Sequence, residues 1–261
     1  MIDENHVYSY SQLSSFSECP FSYYLSHIEK PRPEEAPNAW AEQGTLIHDL
    51  LDKWAKGALK KEELADEYVR RYGDEVVTSF PRMMKGYAEK SYQQGLDYFL
   101  SFDGFPGYDI VAAEEEYKMP LKLTNGTTRP FVAYIDLVLR DQETGGLVVL
   151  DHKSKSKATF KKERETMYKQ QYLYSYFVHE KYGEWPERLQ FNLFKEQLMD
   201  ERNFSEKEFA QTMNWATESI LKIEDMDFLE WLECKPLTKS GKPDMFCSSI
   251  CQWRNICPNA R

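Results

Sequence analysis

The sequence predicts an α/β protein in which helices flank a central mixed sheet that contains an antiparallel meander. Helical periodicity dominates residues 45–100, where apolar residues recur every three or four positions. Two strand-like segments, Tyr108–Leu123 and Arg129–Arg140, follow and are joined by Asn125-Gly126, a strong hairpin signal. A third strand, Leu147–Leu150, comes next, and the alternation of helices and strands beyond it completes the α/β pattern.

The segments before and after the meander are predicted to be helical, apart from one strand. Near the N-terminus, Ser9 or Ser11 is suited to cap a helix that buries Leu13 and Phe16. After the meander we expect a helix over Glu163–Tyr182, a strand over Arg188–Phe194 and a helix from Ser205 to about Leu232.

Length and composition fit one globular domain. The chain has 261 residues, of which 41% are hydrophobic and 29% are charged, as in ordinary globular proteins. We expect a single domain over residues 1–261, made of a helical lobe over 40–105, a core over 106–232, and a cysteine lobe formed by Cys19 and residues 235–261.

Charge and hydropathy narrow the classes of function. No segment approaches the roughly 18 consecutive apolar residues of a membrane span, and residues 1–10 lack the layout of a secretory signal. We therefore expect no membrane partner and a cytoplasmic location, or the host cytoplasm for a viral chain. The net charge of −10 argues against a general nucleic-acid binder but is compatible with an enzyme that has a local basic groove.

Two aspartates and a lysine lie where the meander strands are expected to meet. Asp136 is within an apolar strand, and Asp151 and Lys153 end the next one. Carboxylates on neighbouring strands can lie about 5 Å apart and share a hard cation such as Mg²⁺ or Mn²⁺. Residues i and i+2 share a strand face, so Lys153 is expected beside Asp151. Taken alone, Asp-x-Lys is more often a salt bridge at a strand end; Asp136 and the motifs around it favour a site.

Five motifs in order resemble one nuclease family. They are Gly44–His48, Glu114, Tyr134–Asp136, Val149–Lys153 and Gln170–Tyr174. In this arrangement the chain resembles the RecB-type PD-(D/E)XK nucleases, and most of all their small iron–sulfur members, such as the CRISPR-adaptation exonucleases and phage relatives. The resemblance implies a restriction-endonuclease-like core and a single nuclease domain.

The resemblance also implies a metal centre. The ligands of Mg²⁺ or Mn²⁺ would be His48, Asp136, Asp151 and the backbone carbonyl of His152. Without the resemblance, His48 is more often a helix histidine whose hydrogen bonds are satisfied.

Four further positions match the catalytic part of the family pattern. Lys153 matches the catalytic lysine, and Gln170 and Tyr174 match a helix motif that flanks the site. Glu114 matches an acidic strand position, which has the least defined role. The alternatives are a solvated strand face for Glu114 and a simple i,i+4 helix contact for Gln170 with Tyr174.

Four of the five cysteines form a pattern typical of a metal centre. Cys247, Cys251 and Cys257 are spaced by three and five residues, and Cys19 lies far away in the sequence. Four thiolates can hold Zn²⁺ or a [4Fe–4S] cluster, and spacing alone does not choose between them. The resemblance favours the cluster, although in the family two residues usually separate the first two of the three clustered cysteines, where this chain has three. Buried free thiols are the alternative, and Cys234 is interpreted as a free thiol outside the group.

A basic segment follows the third strand and is a candidate DNA contact. Its cations are Lys155, Lys157, Lys161, Lys162 and Arg164. Such a cluster suits a phosphate backbone, and the alternative is a solvated loop. The aromatic residues nearby are candidates for stacking on unpaired bases: Phe160, Tyr168 and Tyr172.

These features predict a metal-dependent DNA nuclease, an exonuclease that acts on single strands or DNA ends in recombination, repair, or CRISPR or phage DNA metabolism. The alternative is a non-catalytic DNA-binding or assembly subunit on a nuclease fold that zinc or an iron–sulfur cluster stabilises. A redox protein is disfavoured because no Cys-x-x-Cys pair is present. No Walker A sequence is present either, so unwinding would need a helicase or a recombination or integration partner; an oligomer is possible.

Overall fold

The computed structural model describes residues 6–31, 39–80 and 86–260. The helices are α1 Tyr10–Glu18, α2 Pro20–Tyr24, α3 Ala39–Ala55, α4 Leu64–Glu75, α5 Tyr87–Ser101, α6 Lys157–Tyr182, α7 Glu206–Asp225 and α8 Phe228–Trp231. The strands are β1 Tyr108–Lys122, β2 Thr128–Asp141, β3 Leu147–Lys153, β4 Arg188–Leu193 and β5 Leu198–Asn203.

The five strands form one mixed sheet in the order β1-β2-β3-β4-β5. β2 and β3 are antiparallel, with Leu137 opposite Leu150. β3 and β4 are parallel, with Asp151 opposite Phe191, because α6 carries the chain back between them. β5 returns antiparallel to β4. The predicted α/β class, with a mixed sheet flanked by helices, is confirmed.

Two compact units can be distinguished within the chain. One consists of Asn38–Tyr117 and Ala133–Phe209, and the other of Met1–Pro37, Lys118–Val132 and Ala210–Arg261, in each case as far as these residues are described. The predicted division into a helical lobe, a core and a cysteine lobe stays a prediction.

The apolar pattern of the helical region is explained by its packing. Leu46, Ile47 and Leu50 recur at helical spacing on α3 and are fully buried against Tyr68 of α4 and Phe99 of α5. A second cluster lies on the sheet, where alternate residues of β2 and β3 face the same side. These packed layers fix α3 and the inner strands, which carry the candidate site.

The first helix agrees with its prediction, because the Ser9 side chain caps α1, and Leu13 and Phe16 are buried. The bounds of two later helices differ from those predicted. α6 begins six residues earlier than predicted, at Lys157, because the Ser156 hydroxyl accepts a hydrogen bond from the Thr159 N–H.

The helix predicted from Ser205 to about Leu232 is interrupted. α7 ends at Asp225, and Asp227 then caps α8 with a capping box. β5, which the sequence did not predict, alternates exposed and half-buried residues at the sheet edge. Among the described residues, no helix is both long and apolar enough to cross a membrane.

Candidate active site

Three ligand atoms from three elements lie close together at the candidate site. His48 of α3, Glu114 of β1 and Asp136 of β2 each offer one atom, and these atoms lie within 4.8 Å of one another. His48 Nδ1 is 3.5 Å from Asp136 Oδ2 and 3.8 Å from Glu114 Oε1. An imidazole nitrogen with two carboxylate oxygens is a donor set that suits Mn²⁺ and, less ideally, Mg²⁺.

Glu114 reaches this group from an irregular point of β1. Its φ is 44°, a left-handed conformation that is uncommon for a non-glycine residue. Its neighbours are engaged elsewhere, because Glu115 pairs with Lys181 and Glu116 accepts a hydrogen bond from the Tyr134 hydroxyl at 2.5 Å. The acidic triplet is therefore not a uniformly solvated strand face.

The electrostatics of this group favour a cation. Burial, with Asp151 nearby, raises the pKa of Asp136 to about 7. Burial disfavours the charged form of His48, but Asp136 and Glu114 outweigh it and raise the pKa of His48. Negative charge that is gathered in a buried place costs free energy unless a proton or a metal ion balances it.

A chain of polar contacts links β3 to α6 beside this group. Lys153 Nζ lies 2.5 Å from Asp151 Oδ2 and donates to Gln170 Oε1 at 3.0 Å. The Gln170 amide nitrogen lies 3.1 Å from Asp151 Oδ1 and 2.6 Å from the Tyr174 hydroxyl. Gln170 thus holds both members of the Asp151–Lys153 pair, which is more than an i,i+4 contact within a helix.

Asp151 is the most buried carboxylate of the site, with 2% of its surface exposed. Its Oδ2 accepts no hydrogen bond from the described residues, since the Lys153 ammonium approaches it outside hydrogen-bonding geometry. Asp151 therefore contacts the lysine and the glutamine, whereas the closest set of ligand atoms is completed by Glu114.

His152 follows Asp151 on β3, and its ring lies 5.6 Å from the ring of His48. Its N–H donates to Asp136 Oδ2 at 2.6 Å, which orients that carboxylate. Its ring is within 2.9 Å of the Asn192 amide and stacks on Phe105. Burial lowers the pKa of His152 well below its ordinary value, so the ring is neutral near pH 7.

A cavity of about 540 Å³ opens onto the three ligand atoms. Trp40, Gly44 and His48 line it at intervals of four residues, so one face of α3 forms a wall. The sequence analysis missed four residues that line this cavity: Trp40, Asp49, Asp52 and Ser154. Helical spacing from His48 marks two of these, Trp40 and Asp52.

The basic segment is divided between paired and unpaired cations. Lys155 forms an ion pair with Glu163, and Arg164 pairs with Asp200 at 2.9 Å. The exposed lysines, which make no ion pair with the described residues, are Lys157, Lys161 and Lys162.

The aromatic side chains near this segment do not face solvent. Phe160, Tyr168 and Tyr172 are 3%, 1% and 2% exposed, so the prediction that they stack on unpaired bases is wrong. They form the buried face of α6, where Phe160 and Tyr168 pack on Phe191 of the parallel neighbour strand.

All five cysteines line one cavity of about 350 Å³. Cys19, Cys251 and Cys257 pack with Phe21 and Trp253, so the N-terminal and C-terminal cysteines do converge. All five are free thiols, and burial raises the pKa of Cys247 to about 11. Cys234, predicted to be a free thiol outside the group, is a free thiol, but it lines the same cavity and its Sγ lies 3.7 Å from Cys257 Sγ.

Comparison with known proteins agrees with this geometry. The chain belongs to the PD-(D/E)XK nuclease superfamily, whose family model matches residues 7–258. It is 26% identical over 178 residues to an ATP-dependent helicase/deoxyribonuclease subunit of Alkaliphilus metalliredigens (strain QYMF). That match covers 57% of this chain and 16% of the relative, so the chain spans a small part of the relative's length.

Among solved structures, the crystal structure of SSO0001 is similar at a TM-score of 0.42 and 14% sequence identity. The similarity covers 100% of this chain and 90% of that one.

Proposed function

We propose that this chain is a metal-dependent deoxyribonuclease that hydrolyses phosphodiester bonds. One observation carries the proposal: the ligand atoms of His48, Glu114 and Asp136 lie within 4.8 Å of one another. Glu114 and Asp136 are on the sheet that also positions the Asp151–Lys153 pair. Membership of a nuclease superfamily supports the reaction class, and the deoxyribonuclease named among its relatives supports DNA as the substrate.

The donor set fits a divalent cation such as Mn²⁺ or Mg²⁺. His48, Glu114 and Asp136 would hold the ion, and Asp151 and the His152 carbonyl are the further ligands that the family pattern implies. Asp151 Oδ2 is buried, and the Lys153 ammonium, 2.5 Å away, balances its charge. When bound, the ion supplies Lewis-acid activation of water and of the phosphate.

The protein's own groups place charge around the scissile phosphate. Lys153 is fixed by Asp151 and Gln170, so its ammonium is held in position to orient water or to balance charge that develops on phosphate oxygens. Tyr174 fixes Gln170 in turn. The His152 N–H keeps Asp136 oriented, and its neutral ring adds no charge to the site.

Single substitutions test this assignment. We expect Lys153→Ala and Asp136→Asn to lower Mn²⁺-dependent DNA cleavage by about 100-fold or more, as expected for loss of a group that stabilises charge in the transition state. Asp141→Asn is the matched control, because Asp141 is on the same strand, is equally 9% exposed and pairs with Arg188 instead. Circular dichroism checks that each variant is folded.

The proposal fails if both variants cleave DNA as fast as the wild type. Binding of DNA without cleavage by the wild-type chain, in the presence of Mn²⁺, would instead indicate the non-catalytic subunit considered above. The fixed Lys153–Asp151–Gln170 contacts speak against that outcome, because a subunit that only binds DNA has no need of them.

We further propose exonuclease action on single strands or DNA ends. This rests on the resemblance to RecB-type nucleases and on the helicase named with the relative, which also supports a helicase partner. Linear and circular single-stranded DNA of equal sequence distinguish the modes. We expect the linear form alone to be degraded, with release of short products, and cleavage of the circle would contradict exonuclease action.

For the cysteines we propose a [4Fe–4S] cluster held by Cys19, Cys247, Cys251 and Cys257. No three sulfur atoms of the described cysteines lie within 4.8 Å of one another. Tetrahedral zinc, with Zn–S bonds of about 2.3 Å, would need sulfurs about 3.8 Å apart, whereas a cubane accommodates wider spacing. Anaerobic purification is expected to give a brown protein that absorbs near 400 nm; a colourless protein with one zinc per chain would contradict the cluster.

A further inference from the structure

Cys234 contacts a thiol that the proposed cluster uses. Its Sγ lies 3.7 Å from Cys257 Sγ, and both side chains are half-buried at the cavity that all five cysteines line. Among the residues that the structure describes, this is the one pair of thiols in hydrogen-bonding geometry. A disulfide needs the two sulfurs to approach to about 2.05 Å.

The backbone around Cys234 is fixed to other parts of the same unit. The Phe21 N–H donates to the Glu233 carbonyl at 2.9 Å. The Lys235 N–H donates to Cys19 Sγ at 3.1 Å. Hydrogen bonds on both sides of Cys234 therefore hold its backbone against residues 19–21.

Cys247 differs from Cys234 and provides a comparison. It lies beside Asp244, which accepts a hydrogen bond from the Cys247 N–H at 2.8 Å and pairs with Lys235 at 2.7 Å. Cys247 is thus the cysteine that faces a carboxylate, whereas Cys234 faces another thiol.

We propose that Cys234 and Cys257 form a disulfide when the cysteine centre is empty, and that this bond prevents the centre from being loaded. The bond itself depends only on the thiol contact, and its effect on loading rests on the proposed function of Cys257 as a ligand. A ligand sulfur that is bonded to another sulfur cannot serve as a thiolate donor.

The oxidant is a low-molecular-weight disulfide such as oxidised glutathione. One protein thiolate attacks a glutathione sulfur, forms a mixed disulfide and releases one glutathione thiolate. The second cysteine then attacks the protein sulfur of that mixed disulfide and releases the other glutathione thiolate. Two protein thiols are oxidised, one glutathione disulfide is reduced, and the two protons pass to the released thiolates.

The test uses the full chain, stripped of metal by a chelator under reducing conditions and then exposed anaerobically to oxidised glutathione. The readouts are the number of free thiols, the intact mass and a proteolytic peptide map. Wild type is expected to lose two of its five free thiols, with a mass loss of two hydrogens and a cross-link between the Cys234 and Cys257 peptides. Cys247→Ser, the matched control, is expected to form the same cross-link, and Cys234→Ser is not.

Zn²⁺ uptake after desalting tests whether the disulfide prevents the cysteine centre from being loaded. Oxidised wild type is expected to bind much less Zn²⁺ than the reduced protein and to recover on treatment with a dithiol, whereas oxidised Cys234→Ser keeps its uptake. The proposal is overturned if wild type keeps five free thiols or cross-links a different pair. If the reduced protein takes up neither iron nor zinc, the proposed cluster fails, and the peptide map still decides whether the disulfide forms.

Discussion

Two buried ionisable residues, Asp136 and Lys195, lie in opposite electrostatic surroundings. Asp136 is surrounded by charge, and its raised pKa reflects burial together with Asp151. Lys195 is 7% exposed, and among the described residues its ammonium has only the Ser91 hydroxyl as a hydrogen-bond partner, at 3.1 Å. Burial alone lowers the pKa of Lys195 to about 8. The surroundings of Asp136 are those expected of a metal site, whereas the buried charge of Lys195 lowers the stability of the folded chain.

Lys195 therefore predicts how stability depends on pH. Its pKa is lower in the folded than in the unfolded chain, so the unfolded chain binds more protons between about pH 8 and 10.5, and this group makes stability rise with pH there. Lys195→Met is expected to remove that rise and to stabilise the protein at pH 7 by about 1–3 kcal/mol. Urea unfolding at pH 7 and pH 10 measures both effects; a variant that is less stable than wild type at pH 7 would contradict the prediction.

At the scale of elements, two helix glycines have different surroundings. Gly73 is within α4, and a Cβ placed on it would meet nothing within 4 Å. Gly95 is within α5, where a Cβ would lie 2.7 Å from Cζ of Tyr68. The Tyr68 side chain is itself held by a hydrogen bond from Gln43 at 2.9 Å. The close approach of α4 and α5 thus depends on the missing side chain at Gly95.

These glycines give a matched pair of substitutions with opposite signs. Gly73→Ala is expected to stabilise the protein by about 0.5–1 kcal/mol through helix propensity. Gly95→Ala gains the same propensity, but overpacking against Tyr68 costs about 1–3 kcal/mol, so the net effect is destabilising. Thermal unfolding of the two variants checks this, and equal shifts of the same sign would show that Tyr68 moves aside without cost.

At the scale of the whole molecule, the net charge of −10 conceals a local excess of positive charge. The first turns of α6 present Lys157, Lys161 and Lys162 to solvent, directly after the strand that carries Lys153. A polyanion would experience these cations at short range, because salt screens the more distant acidic surface within about 8–10 Å. Net charge alone therefore does not exclude DNA binding.

Salt dependence tests the role of these lysines. Replacing Lys157, Lys161 and Lys162 with Ala is expected to weaken single-stranded DNA binding and to reduce the slope of log K against log salt by about 2, as for three lost phosphate contacts. The control variant removes three other exposed lysines, Lys90, Lys207 and Lys239. Fluorescence anisotropy in Ca²⁺ measures binding without Mg²⁺ or Mn²⁺; equal slopes for the two variants would place the DNA elsewhere.

The sequence by itself determined the class of fold and most of the residues that meet at the site. Strand alternation and the Asn125-Gly126 turn marked β1, β2 and β3, because these signals are local in the chain. The order of the motifs along the chain marked the candidate site residues His48, Asp136, Asp151, Lys153 and Gln170. The motif order marked Glu114 only as an acidic strand position, and its approach to His48 was not predicted.

The tertiary structure decided which of these groups touch. Only the folded chain shows that Glu114 completes the closest set of ligand atoms, while Asp151 contacts Lys153 and Gln170. It also turned the aromatic residues of α6 inward, because the parallel β3–β4 pair buries that face of the helix. Cys234 and Cys257, 23 positions apart, meet for a similar reason: contacts between distant segments depend on packing, which neither spacing nor local periodicity encodes.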